Sequence, residues 1–144
     1  RPGTEGIANA CAMGLSASLL MQEREENHKR ITQIRDALLE GLTNLPDICI
    51  NSPADATPYI LNFSALGVRS EIIYRPAFLE EKGIYVSSGS ACAKGGASHV
   101  LASMGMDHQR ADSAIRLSFG RYNTLEEVPV FLQALQEGLN RFRK

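Results

Sequence analysis

A chain of 144 residues, 44% hydrophobic and 22% charged, is the size of one domain and has enough apolar content to bury a core. Its formal net charge of −1, with both signs mixed along the chain, gives no bulk attraction to nucleic acid or to an anionic membrane. No apolar run reaches the length of a bilayer span, and no signal peptide is visible.

After Arg1-Pro2-Gly3-Thr4-Glu5, the stretch from Ile7 to Met21 is rich in Ala, Leu and Met. Its Ala8, Cys11, Ala12, Leu15, Leu19 and Leu20 fall on one helical face. Gly14, Ser16 and Ala17 suggest close packing of this helix against a neighbour. A charged segment, Gln22 to Arg30, leads into a second amphipathic helix that carries Ile31, Ile34, Leu38, Leu42 and Leu45 and is ended by Asn44 and Pro46. Ile48-Cys49-Ile50 reads as a short strand, and Tyr59 to Phe63 as a better one. Ser70 and Glu71 open a helix to about Glu81, with a kink at Pro76 and Gly83 as the C-terminal cap.

Ile84-Tyr85-Val86 reads as another short strand, running into a small-residue loop from Ser87 to Gly96. Ser98 to Met104 is a short helix, Gln109 to Ser113 a turn of another, and Ala114 to Phe119 a strand. Thr124 and Glu127 form a capping box for the last helix, whose Val128, Phe131, Leu132, Leu135, Leu139 and Phe142 share a face. The order predicts a small α+β domain, a short-stranded sheet covered by helices on one side.

The three cysteines are odd in number, widely spaced and form no CxxC pair. That argues against a disulfide framework and a cysteine-based zinc site, and fits a reducing, cytoplasmic setting. Cys11 and Cys49 lie in apolar periodic segments and are expected to be buried structural thiols. The chain starts at Arg1 rather than Met, with a helical pattern almost at once, and is expected to be a piece of a longer polypeptide.

Three segments carry chemistry. Cys92 lies in Ser87-Ser88-Gly89-Ser90-Ala91-Cys92-Ala93-Lys94-Gly95-Gly96, where serines and glycines leave the backbone mobile and Lys94 favours the nucleophilic thiolate. The alternative is an unreactive cysteine in a connecting loop. Arg116, in Ala114-Ile115-Arg116-Leu117-Ser118, faces opposite to its apolar neighbours if the segment is a strand, and can hold a carboxylate by a two-pronged hydrogen bond. A structural ion pair is the commoner use of such a residue. Thr4, before a helix, offers a hydroxyl beside backbone donors that suit a phosphate, or is a plain N-cap.

Arg-Pro-Gly-Thr-Glu, Ser-Ser-Gly-Ser-Ala-Cys and Ile-Arg-Leu-Ser-Phe-Gly-Arg-Tyr-Asn-Thr-Leu-Glu-Glu, in this order and spacing, resemble the cysteine desulfurases of the NifS/IscS type, in the class V aminotransferase group of pyridoxal-phosphate (PLP) enzymes. Leu61-Asn62-Phe63-Ser64 and Gly83-Ile84-Tyr85-Val86 resemble that family's sheet strands. The resemblance covers essentially the whole chain and implies the small C-terminal domain of a PLP fold-type I enzyme. Residues 1–22 would be the edge of the large domain and a linking helix, and 23–144 the small domain with the cysteine loop.

It further implies that Cys92 takes sulfur from L-cysteine as a persulfide, releasing L-alanine, and passes it to an acceptor such as an iron–sulfur scaffold. Arg116 would bind the substrate carboxylate, and Thr4 would reach the PLP phosphate of the other subunit of a homodimer. The PLP lysine lies upstream in the family. Lys29, Lys82, Lys94 and Lys144 lack its context, so the chain alone is expected to be inactive. His28, His99 and His108 are expected to be solvated or capping residues. Gly6 replaces the family's usual Asn, Pro76 interrupts a helix, and the loop after Cys92 is short for the subgroup. A selenocysteine lyase, another class V PLP lyase, and a stand-alone sulfur-carrier or docking module are the alternative readings.

Overall fold

The structure, a computed structural model, describes residues 3–69, 78–87 and 98–143. The helix expected from Ser70 is described only in its last turn, and Cys92, Lys94 and Pro76 lie outside the described residues.

Helix α1 runs unbroken from Ile7 to Thr43, where two helices were expected. The charged segment at Gln22–Arg30 contains neither glycine nor proline and is built mostly of Glu, Arg, Gln and Lys, all good helix formers, so charge alone does not interrupt it. At about 1.5 Å per residue the helix is on the order of 55 Å long. Residues 3–22 are all exposed, including Cys11, which was expected to be buried, and Leu15 and Met21 at 63% and 67%. The apolar face at Ala8, Leu15 and Leu19 therefore has no neighbour among the described residues. The first ties come at Glu23, which accepts from Arg121 at 2.7 Å, and at Arg30, which donates to the Arg121 carbonyl at 2.6 Å.

Beyond α1, strands β1 (Ile48–Ile50), β2 (Ile60–Ala65) and β3 (Ala114–Ser118) form an antiparallel sheet in that order. The register sets Cys49 opposite Ser64 and Asn62 opposite Arg116. The strand expected at Ile84–Val86 is reduced to one bridge at the next residue, where Ser87 and Arg116 exchange both backbone hydrogen bonds, at 3.2 and 2.6 Å. Gly83, left-handed at φ 73°, caps the 3-10 turn Glu80–Lys82 and turns the chain into this segment. Lys82 also donates to Glu137 at 2.6 Å, which holds that carboxyl below the usual range.

Two short helices, α2 (His99–Ser103) and α3 (His108–Asp112), precede β3, and α4 (Glu127–Phe142) closes the chain. Glu127 reaches back to the Thr124 N–H at 3.3 Å, one half of the expected capping box. On one face of the sheet, Leu61, Phe63, Ala65, Ile115 and Leu117 pack against Ile31, Ile34, Leu38 and Leu42 of α1 and Val128, Phe131, Leu135 and Leu139 of α4. The helices approach so closely that a Cβ on Gly41 would lie 2.2 Å from the Leu132 side chain. The opposite face carries Asn62, Ser64 and Arg116, and α2 and α3 cover it in part, Leu101 and Ala111 packing with Ala114 of β3.

Phe63 is fully buried and meets Phe131 edge-to-face with ring centroids 6.4 Å apart. Phe63→Ala should lower the unfolding free energy by about 3–5 kcal/mol, read by urea denaturation. A loss under about 1 kcal/mol would contradict this packing.

Candidate functional site

Strand alternation sends Ile115 and Leu117 into the core and leaves Arg116 half-buried on the other face, as its place in the sequence predicts. There it lines a cleft of about 370 Å³ with Asn51, Ser52, Asn62, Ser98, His99 and Met104. The Arg116 Nε is buried without a hydrogen-bond partner among the described residues. The Nε atoms of Arg30, Arg35 and Arg143 are likewise unpaired, but each of those guanidinium groups donates through another nitrogen. Arg116 makes no side-chain hydrogen bond or ion pair among the described residues, so the structural ion pair that the sequence left open is not found there.

A buried Nε–H without an acceptor costs free energy that an anion in the cleft would recover. The planar fork of guanidinium donors suits a carboxylate.

Arg116 and its cleft are also tied to the described residues on either side of the segment that carries Cys92. Ser87 is bonded to the Arg116 backbone, and Ser98, buried, lines the cleft itself.

Thr4 is exposed and is not brought to this cleft. The N-cap of α1 is Gly6, so Thr4 is not the plain cap that was the alternative, and its hydroxyl makes no hydrogen bond among the described residues. No described lysine stands at the cleft: Lys82 is paired with Glu137, and Lys29 is exposed on α1.

The sequence reading passed over the polar floor of the cleft. Asn51 and Asn62 are joined by a 2.8 Å hydrogen bond, and His99, expected to be a solvated or capping residue, is exposed but lines the same space. The signal available was Asn62 itself, a polar residue between Leu61 and Phe63 in an otherwise apolar strand.

Residues 1–131 match the family model "Aminotransferase class-V", and the chain belongs to that family. A NifS/IcsS protein homolog of Lactobacillus delbrueckii subsp. bulgaricus is 38% identical over all of this chain, which covers 38% of that protein. The cysteine desulfurase IscS of Clostridium botulinum is 32% identical, again over the whole chain and over 37% of the relative. Among solved structures, a NifS-like protein superposes with a TM-score of 0.85 at 31% identity, over 99% of this chain and 36% of its own. The chain thus spans a little over a third of the curated relatives it matches.

If Arg116 is kept for a ligand rather than for the fold, Arg116→Met should unfold at the same denaturant concentration as the parent, or be more stable by up to about 1 kcal/mol. Destabilisation by more than that would assign Arg116 a structural role.

Proposed function

We propose that this chain is the C-terminal portion of a PLP-dependent cysteine desulfurase, with Cys92 as the thiol that accepts sulfur from L-cysteine. Residues 1–22 belong to the edge of a large domain and its linking helix, and residues 23–144 form the small domain. The observation that carries the reading is the unpartnered Arg116 side chain in a cleft lined by Ser98, with Ser87 bonded to the Arg116 backbone, the two serines lying on either side of the Cys92 segment in sequence. Kinship with the Clostridium botulinum cysteine desulfurase supports the substrate class.

In this reading Arg116 holds the carboxylate of L-cysteine and so fixes where the substrate thiol lies. PLP, when bound, supplies an electron sink for loss of the substrate Cα proton. The Cys92 thiolate attacks the substrate Sγ. A new S–S bond forms as the Cβ–Sγ bond breaks, the electron pair stays with carbon, and the three-carbon remainder leaves as alanine after protonation. Cys92 is left as a persulfide, able to give its outer sulfur to an acceptor thiol such as that of an iron–sulfur scaffold. Only a thiol can play this part.

Thr4 serves a different place. About 25 residues of helix separate it from the first buried core residue, Ile31, roughly 36 Å at the helical rise. That distance is consistent with a contact to the PLP phosphate of a second subunit in a homodimer. Among the described residues no helix is long and apolar enough to cross a membrane; we place the enzyme in the cytoplasm, where thiols stay reduced.

The test is alanine release from L-cysteine by the full-length protein with PLP, wild type against Cys92→Ala. The variant should bind the cofactor normally and lose alanine release by at least about a hundredfold, since the nucleophile is gone. Unchanged turnover would remove Cys92 from the role and favour a selenocysteine lyase or another class V lyase that needs no such thiol.

A further inference from the structure

The polar face of the sheet holds a chain of hydrogen bonds whose direction is set at one end. Arg110 Nε donates to Asn51 Oδ1 at 2.7 Å, and its Nη2 donates to the Ile50 carbonyl at 2.8 Å. A guanidinium only donates, so the oxygen of the Asn51 amide must face Arg110. The Asn51 Nδ2 then faces the other way and donates to Asn62 Oδ1 at 2.8 Å and to Ser64 Oγ at 2.7 Å. Ser64 can accept there because its own hydroxyl proton goes to the Arg110 carbonyl, at 2.7 Å. Every bond in the circuit runs one way.

The last member is Asn62. Its Oδ1 is committed to Asn51, so its Nδ2 is turned away, and that nitrogen makes no hydrogen bond among the described residues. Asn62 lines the cleft and stands opposite Arg116 across the β2–β3 ladder. The Arg116 N–H and C=O point to Ser87, away from β2. The Asn62–Arg116 pair is therefore of the non-hydrogen-bonded kind, with Cα atoms about 4.5 Å apart and side chains close.

The geometry is held by a bulge. Asn51 N–H and Ser52 N–H both donate to the Asn62 carbonyl, at 2.8 and 3.1 Å, two residues against one. The Ser52 hydroxyl accepts from the Asn62 N–H at 2.8 Å. At that bulge the buried Asn51 side chain reaches both Asn62 and Ser64 of β2.

We infer that Asn62 is a second anion-binding residue of the cleft, its amide oriented as a donor beside the Arg116 guanidinium by the Arg110–Asn51 relay. The inference rests on the reading of Arg116 as the substrate-carboxylate group and adds the residue that completes its recognition. Asn62 contacts the carboxylate; Asn51 and Arg110 are positioning residues. A cleft with both donors prefers a carboxylate to a neutral or cationic group at this point.

The experiment measures KM and kcat for L-cysteine in the full-length enzyme with PLP, for Asn62→Asp, Asn51→Asp and Arg116→Lys. Asn62→Asp keeps the acceptor that Asn51 needs and replaces the cleft-facing donor with a carboxylate oxygen. KM should rise roughly ten- to hundredfold with little change in kcat, as for loss of a hydrogen bond to a charged group.

Asn51→Asp keeps the acceptor that Arg110 needs. It forces the Asn62 amide to turn over and donate to the introduced carboxylate, presenting oxygen to the cleft, and KM should rise at least about fivefold with unfolding unaffected. A KM unmoved by Asn51→Asp would overturn the relay, and a KM unmoved by Asn62→Asp would overturn the binding role. If Asn51→Asp does not fold, the Asn62→Asp result decides alone. A KM unmoved by Arg116→Lys would remove the carboxylate reading beneath both. A rise with Arg116→Lys alone would leave that reading standing and reject this one.

Discussion

The buried, unpaired Nε of Arg116 is the constraint on which the rest depends. A strand in a sheet with one buried face must send its polar residues to the other face, and β3 does so with Ile115 and Leu117 inward and Arg116 outward. Solvated arginines on such a face are ordinary. This one has its Nε shut away from water and no acceptor among the described residues, which costs free energy that the fold does not recover. Two elements lie against it: the bulge at Asn51–Ser52, which sets the polar floor, and the Ser87 bridge, which delivers the chain into the Cys92 segment. The apolar face of the sheet keeps this arrangement rigid, because β2 and β3 pack there against both α1 and α4.

Most of the fold was legible because it follows from periodicity. The α1 face at Ile31, Ile34, Leu38 and Leu42, the α4 face and the three strands all come from spacing of apolar residues, and each is found where it was read, within a residue or two. The break expected between two helices was not found, since a charged run free of glycine and proline continues a helix as well as an apolar one. The strand at Ile84–Val86 was misjudged because β-branched residues give a propensity but not a partner; only Ser87 reaches the β3 edge.

The site was legible in part. The place of Arg116 on the polar face could be found from alternation, while the reading of Cys92 rests on motif resemblance and its glycine- and serine-rich surroundings, outside the described residues. The Arg110–Asn51–Asn62 relay could not, because its members come from a loop helix, a bulge and a strand far apart in the sequence, and nothing local marks Asn51 as bonded to Arg110. The exposed face of α1 is the converse case. Apolar spacing at Ala8, Cys11, Leu15 and Leu19 was read correctly as a helix face, but Cys11, expected to be buried, is exposed.

The most direct test of the central claim is chemical. The full-length protein with PLP is given L-cysteine in equimolar amount, its thiols are alkylated, and its peptides are analysed by mass spectrometry. The account predicts one added sulfur atom on the Cys92 peptide, with the exposed Cys11 and the half-buried Cys49 unmodified as internal controls. Added sulfur on Cys11 or Cys49, or alanine formed with no persulfide on Cys92, would contradict it.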